Sequence, residues 1–235
     1  MSGPSPYTVR YTYTPTTAPR PARITTSRTE LIQLGIAFGV LTLDFTLLLG
    51  AGGLLFTGSA GLLYVTPSIV LVAAAAGLTA FVAHEMAHKV SAQRHGCWAE
   101  FRYAPMWLVF SIFTSFLGFL WAAPGATVVG GMANPEDWGR TSLAGPLTNI
   151  GFAAAFYAGA IATYEIGSSV WVWLVLLAYL NGWFGTFNML PFGPLDGRKV
   201  FAWSKEAWVL GIVGAGALAV ICYASLYFGT PILGR

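Results

Sequence analysis

VTPSIVLVAAAAGLTAFVAHEMAHKV (residues 65–90) decides the fold and poses the functional question. Nineteen residues, Val65 to Ala83, pass without a charge. About 20 apolar residues cross a bilayer as a helix, so the stretch reads as a membrane span. It then runs straight into His84, Glu85 and His88. An ionisable group inside a span costs about 2.5–3.5 kcal/mol on insertion scales, so such groups are kept where they have work to do.

The rest of the chain agrees with a membrane setting. Of 235 residues, 56% are hydrophobic and 9% charged, against about 25% charged in soluble domains; the mean hydropathy is +0.66. Apolar runs cover roughly 31–57, 65–95, 105–123, 142–163, 169–190 and 207–228. The expected fold is an all-α membrane protein: a polytopic helical bundle of five to six transmembrane segments, with a membrane-associated re-entrant or hairpin segment at about 105–130. Residues 1–30 form a polar N-terminal segment holding Arg10, Arg20, Arg23 and Arg28, and 31–235 a single membrane domain. The polar start is too long for the charged end of a signal peptide, so no cleavage is expected. YTVRYTYT (7–14) fits an exposed strand or disorder equally. WAEFRY (98–103) alternates like a strand whose edge a substrate strand can join, or forms an interfacial loop. The Gly/Pro-rich stretch 122–137 reads as a loop, with room for a short strand at 126–129. Cys97 and Cys222 form no CxxC pair, and no disulfide framework follows. The net charge of +3 is no nucleic-acid signal.

His84 and His88 lie four apart, so on a helix both imidazoles share one face, one turn apart. Glu85 stands beside that face. HExxH is the pattern of two zinc ligands and a general base. Catalytic zinc takes three protein ligands, so one is missing. His95 lies two turns beyond His88, too far along the helix. The extended pattern with a third histidine needs Gly and His where Ser91 and Arg94 stand. The carboxylates Asp44, Glu100, Glu136, Asp137, Glu165, Asp196 and Glu206 remain. Asp196 stands out within FNMLPFGPLDGRKVF (187–201), where Pro191 and Pro194 remove backbone donors and break the helix. Irregular backbone at membrane depth survives only against protein or a water cavity. Asp44, alone in the first span, reads as a hydrogen-bonding partner for a neighbouring helix ahead of a residue lining a water path to the site, and Asn149 as a packing and hydrogen-bonding residue ahead of one that reaches the site cavity.

HEMAH in one span, Asn188, Pro191, Pro194, Leu195, Asp196 and Gly197 (N-x-x-P-x-x-P-L-D-G) after a later one, and SLAGPLTN (142–149) between them resemble the site-2 protease family of intramembrane zinc metalloproteases, peptidase family M50. The likeness runs over about 65–205. It implies one zinc ion on His84, His88 and Asp196, Glu85 as general base, and Asn188 in contact with substrate or oxyanion. It implies an intramembrane endopeptidase acting on transmembrane protein or peptide substrates. A second glycine familiar after LDG is replaced by Arg198. The length leaves no room for a PDZ or CBS module, which makes this a minimal form. The competing readings are a metal-binding membrane transporter, for which paired repeats are expected and not seen, and a catalytically inactive scaffold, against which Glu85 argues.

Topology constrains the pairing further. His84 and Asp196 both lie near the C-terminal ends of their runs, so the two runs must be parallel for them to meet. An odd number of crossings must separate them, yet two runs lie between, so either 105–123 or 142–163 fails to cross. The second choice puts Arg140 on the far side and strands a 22-residue apolar run, and ranks behind the first. If 105–123 enters and leaves on one side, eleven of the twelve Lys/Arg share a face. The positive-inside rule makes that face cytoplasmic. The expected location is the cell membrane, multi-pass, with the N-terminus and the site nearer the cytoplasm. If the helix surfaces near His95, His84 lies about 16 Å deep at 1.5 Å per residue.

Overall fold

The computed structural model describes residues 23–51, 65–121, 124–131 and 134–234. YTVRYTYT lies outside these. Among the described residues are seven helices and one two-stranded sheet: α1 (Arg28–Ala51), α2 (Pro67–Arg94), β1 (Trp98–Tyr103), α3 (Pro105–Phe116), β2 (Gly125–Gly130), α4 (Pro135–Glu165), α5 (Val170–Asn188), α6 (Asp196–Trp203) and α7 (Lys205–Phe228). α1, α2, α5 and α7 are long and apolar enough to cross a membrane. α4 has the length of a fifth span, at 31 residues, and its buried face carries Thr141, Ser142 and Asn149, which sets its hydropathy below that of the other four.

α2 starts where the sequence dictates. Thr66 caps it, its hydroxyl accepting the Ile69 N–H at 3.3 Å, and Pro67 fills the first turn, where no donor is needed. Midway, Gly77–Val82 opens into a π-turn. Such bulges shift the register of everything that follows and recur at functional sites. His84 follows within one turn and His88 one turn later.

The 105–123 run does not make a span. α3 has 12 residues, about 18 Å long at 1.5 Å per residue, well short of a 30 Å hydrocarbon core. β1 and β2 flank it and pair antiparallel, Trp98 opposite Gly130 and Tyr103 opposite Gly125. The chain therefore leaves and returns at the same level, as a hairpin. Of the alternatives weighed for 98–103 and 126–129, strand and loop, both segments are strands. Ser111 on the inner face of α3 donates to the Asp44 carboxylate of α1 at 2.7 Å, so Asp44 bonds a neighbouring helix as expected.

The outer edge of β1 is closed by side chains. Phe101 N–H donates to Glu30 at 3.1 Å and Tyr103 N–H to Gln33 at 3.2 Å, while Gln93 donates to the Ala99 carbonyl at 2.9 Å. A strand whose edge groups are satisfied this way cannot template another. Substrate addition at β1, weighed from sequence, is thus blocked by α1 and α2. Glu30 also pairs with Lys89 of α2, and both are fully buried. Lys89 is therefore an internal cation and contributes nothing to the surface charge asymmetry.

α4, α5 and α7 form the other half of the bundle. Small residues allow close approach, with Gly182 of α5 against Ala215 and Ala219 of α7. Tyr157 of α4 meets Ser225 of α7 at 2.8 Å between their hydroxyl oxygens.

Candidate metal centre and catalytic cleft

Three elements bring the ligating atoms together. α2 supplies His84 and His88. α5 ends at Asn188, and the chain turns through Met189–Leu195 before Asp196 opens α6. The helix break expected at the two prolines is present. Gly197 is needed there, because a Cβ would run into the Met189 carbonyl. The reversal sets the Asp196 carboxylate against both imidazoles: Oδ2 lies 2.9 Å from His88 Nε2 and 3.2 Å from His84 Nε2, and the two Nε2 atoms are 3.0 Å apart.

The outer nitrogens fix the chemistry. His88 Nδ1 lies 2.7 Å from the Thr141 carbonyl oxygen and His84 Nδ1 2.5 Å from Asn149 Oδ1. A carbonyl oxygen only accepts, so each Nδ1 donates, and in the neutral ring Nε2 is the nitrogen left with a lone pair for a metal. Two imidazole Nε2 atoms and a carboxylate oxygen thus converge within 3.2 Å. Tetrahedral ligands about 2.0–2.1 Å from zinc would be spaced about 3.3 Å apart, close to what is seen. The outer hydrogen bonds are the kind that orient metal-bound histidines. Gly145 of α4 faces the cluster, and a Cβ there would lie 2.5 Å from His88 Nε2 and 2.6 Å from His84 Nε2. The bare glycine leaves the volume that an ion occupies. The residues fit a metal.

Glu85 stands beside the cluster, and His84, Glu85 and His88 form a group able to hold a metal ion. Its carboxylate is engaged elsewhere, however. Oε2 accepts the Thr127 N–H at 2.9 Å and the Thr127 hydroxyl at 2.8 Å. Asp196 therefore complements the two imidazoles more closely than Glu85 does. Lys199, one turn along α6, lies 3.5 Å from the other Asp196 oxygen, Oδ1.

A cleft of about 680 Å³, its mouth included, opens beside the cluster, walled by Glu85, His88, β2, Asn188, Asp196 and Lys199. Asn188 donates to the Phe184 carbonyl of its own helix at 3.0 Å. The other carboxylates considered as ligands have partners elsewhere. Asp44 bonds Ser111, Glu100 pairs with Arg102, Glu136 with Arg140, Asp137 with His95 and Glu206 with Ser204; Glu165 lines a separate pocket with Tyr164 and Trp171. His95 takes no part in the cluster. Thr127, Thr141 and Gly145 were not picked out by sequence as parts of the site, whereas Asn149 reads from sequence both as a packing residue and as one that reaches the cavity. Only the small-residue run SLAGPLTN gave a signal for Gly145 and Asn149, as a packing motif.

Known proteins resemble this chain over much of its length. It is 35% identical over 159 residues to a Methanocaldococcus jannaschii protein named "Putative zinc metalloprotease MJ0611", the match covering 66% of this chain and 79% of that one. It is 33% identical over 163 residues to a Mycobacterium tuberculosis protein given the same description, Rip3, covering 65% of this chain and 37% of Rip3. No family model matches, and no solved structure matches.

Proposed function

The chain belongs to a zinc metalloprotease family, and from that premise we propose that it is an intramembrane endopeptidase of the site-2 type. It holds one zinc ion on His84, His88 and Asp196 and hydrolyses peptide bonds in or near the transmembrane segments of its substrates. The observation that carries this reading is the convergence of two Nε2 atoms and one carboxylate oxygen, with Glu85 beside them, on helices apolar enough for a bilayer. The charge asymmetry of the sequence favours the cell membrane, with the N-terminus and the cleft on the cytoplasmic side.

Zinc held there supplies Lewis acidity, making water nucleophilic near neutral pH and polarising the carbonyl under attack. The chain's own groups do the rest. Thr141 and Asn149 hold the two imidazoles in the ligating tautomer. Glu85 takes the proton of the attacking water and passes it to the departing amine. Asn188, on the cleft wall, turns its amide to the oxyanion. A helical substrate must unwind before its scissile carbonyl is exposed, and its freed backbone groups then need partners. The outer edge of β2, at Gly125, Thr127 and Val129, lies along the cleft and offers them by strand addition.

Metal analysis of the purified protein together with cleavage of a model single-span peptide tests this. The expectation is one zinc per chain, with cleavage abolished by chelation and restored by zinc. A zinc-loaded protein that moves metal across vesicles and cleaves no peptide would make it a transporter instead.

A further inference from the structure

The Thr127 N–H that Glu85 holds is an edge donor of the sheet. In an antiparallel pair, alternate residues point both backbone groups away from the partner strand. Phe101 and Thr127 stand opposite each other. Phe101 N–H turns outward to Glu30 and Thr127 N–H outward to Glu85. Thr127 N–H therefore lies on the cleft side of β2, where a strand laid along that edge must find its central donor. The Glu85 carboxylate occupies the place of a substrate carbonyl.

We propose that Thr127 serves two partners in turn, acting as a positioning residue that couples substrate docking to the availability of Glu85. This rests on the proteolytic reading above. Before substrate arrives, Thr127 N–H and Oγ–H hold the Glu85 carboxylate against β2. When an extended segment pairs along β2, its carbonyl takes the N–H, and the carboxylate is released toward the His84–His88–Asp196 cluster. Glu85 and the substrate then compete for one donor, so removing the carboxylate tightens binding.

Binding is measured with zinc-loaded, inactive variants and a fluorescent single-span peptide. Glu85→Gln keeps an acceptor for Thr127, whereas Glu85→Ala leaves the N–H to the peptide. Glu85→Ala should bind about 3–10-fold more tightly than Glu85→Gln, the range set by one net hydrogen bond. Thr127→Pro removes the N–H from an edge position, where proline is tolerated, and should erase the difference in either background. Thr127→Val keeps the N–H and should preserve the ranking. Equal affinities for the two Glu85 variants, or a difference that survives Thr127→Pro, overturn the exchange. Cleavage of the same peptide by the wild-type protein separates the two levels. Cleavage with equal affinities overturns the exchange alone, and a peptide neither cleaved nor bound overturns the proteolytic reading with it.

Discussion

His84 Nδ1 donates to Asn149 Oδ1 at 2.5 Å, from α2 to α4. The asparagine is itself fixed. Its amide nitrogen donates to the Ala80 carbonyl in the π-turn at 3.0 Å and reaches Asn181 of α5 at 3.4 Å. Asn181 in turn donates to Thr79 at 3.0 Å. Three helices thus set the plane of one imidazole. Asn149→Ala should weaken zinc binding by about 10–100-fold, the usual effect of losing such a partner. Competition against a chelator of known affinity measures it. An unchanged zinc affinity would reduce Asn149 to a packing residue.

Gly145 tests whether the volume among the ligands is the metal's. A methyl group there would lie 2.5–2.6 Å from both Nε2 atoms. Gly145→Ala should therefore lose most of its zinc while keeping its helical circular dichroism. Gly151→Ala, on the same helix with nothing within 4 Å of the new methyl, should keep both. Full zinc occupancy in Gly145→Ala would place the ion elsewhere.

The buried pair of Glu30 and Lys89 predicts a stability pattern. Glu30 also accepts the Phe101 N–H, and Lys89 also donates to Thr26 at 2.9 Å. Lys89→Met alone strands a carboxylate in the interior and should destabilise by about 3–5 kcal/mol. Adding Glu30→Gln removes that charge yet keeps the acceptor for Phe101, and should recover most of the loss. Denaturation midpoints in mild detergent decide this; a double variant less stable than Lys89→Met would show that no stranded charge is involved.

Much of the site was legible because its chemistry is local. His84, Glu85 and His88 sit within one turn, and Pro191, Pro194 and Asp196 announce a break in an apolar run. The non-crossing run at 105–123 was legible from topology and charge together: one of two runs could not cross if His84 and Asp196 were to meet, and the Lys/Arg distribution picked 105–123 over 142–163. What stayed hidden are contacts between residues far apart in the chain. Thr127 reaches Glu85 across 42 positions, Asn149 reaches His84 across 65 and Glu30 reaches Lys89 across 59. Lys89 reads as a surface cation in sequence because nothing nearby announces its partner. α4 is less apolar than the other long helices because it turns a polar face, with Thr141 and Asn149, inward to meet the histidines.

The hairpin makes its own prediction. Single cysteines at Arg102 and Val128 sit on the two strands that flank α3, and one at Glu136 sits in the first turn of α4. All three should react with an impermeant reagent only from the cytoplasmic side of oriented membranes. Labelling of Glu136→Cys from the opposite side would mean that α3 crosses after all, and would sink the proposed orientation with it.

Metal binding and catalysis should separate at Glu85 and coincide at His88. A general base need not hold the ion, so Glu85→Gln should keep its zinc and lose nearly all peptide cleavage. The amide matches the carboxylate in size and still accepts from Thr127, but it cannot take a proton from water at neutral pH. His88→Ala removes one of three converging donors and should lose zinc and activity together. Asp196→Ala should match it, because Oδ2 touches both imidazoles. Asp44→Ala should keep zinc, since that carboxylate is bonded to Ser111. Asn188→Ala should keep zinc and slow cleavage by about 10²–10³ if its amide serves the oxyanion. Zinc content and cleavage rate, measured on the same preparations, distinguish these roles. A zinc-loaded Glu85→Gln variant that cleaves at the wild-type rate would remove Glu85 from the mechanism, and an Asp196→Ala variant with full zinc would move the third ligand to another carboxylate, Glu85 being the nearest.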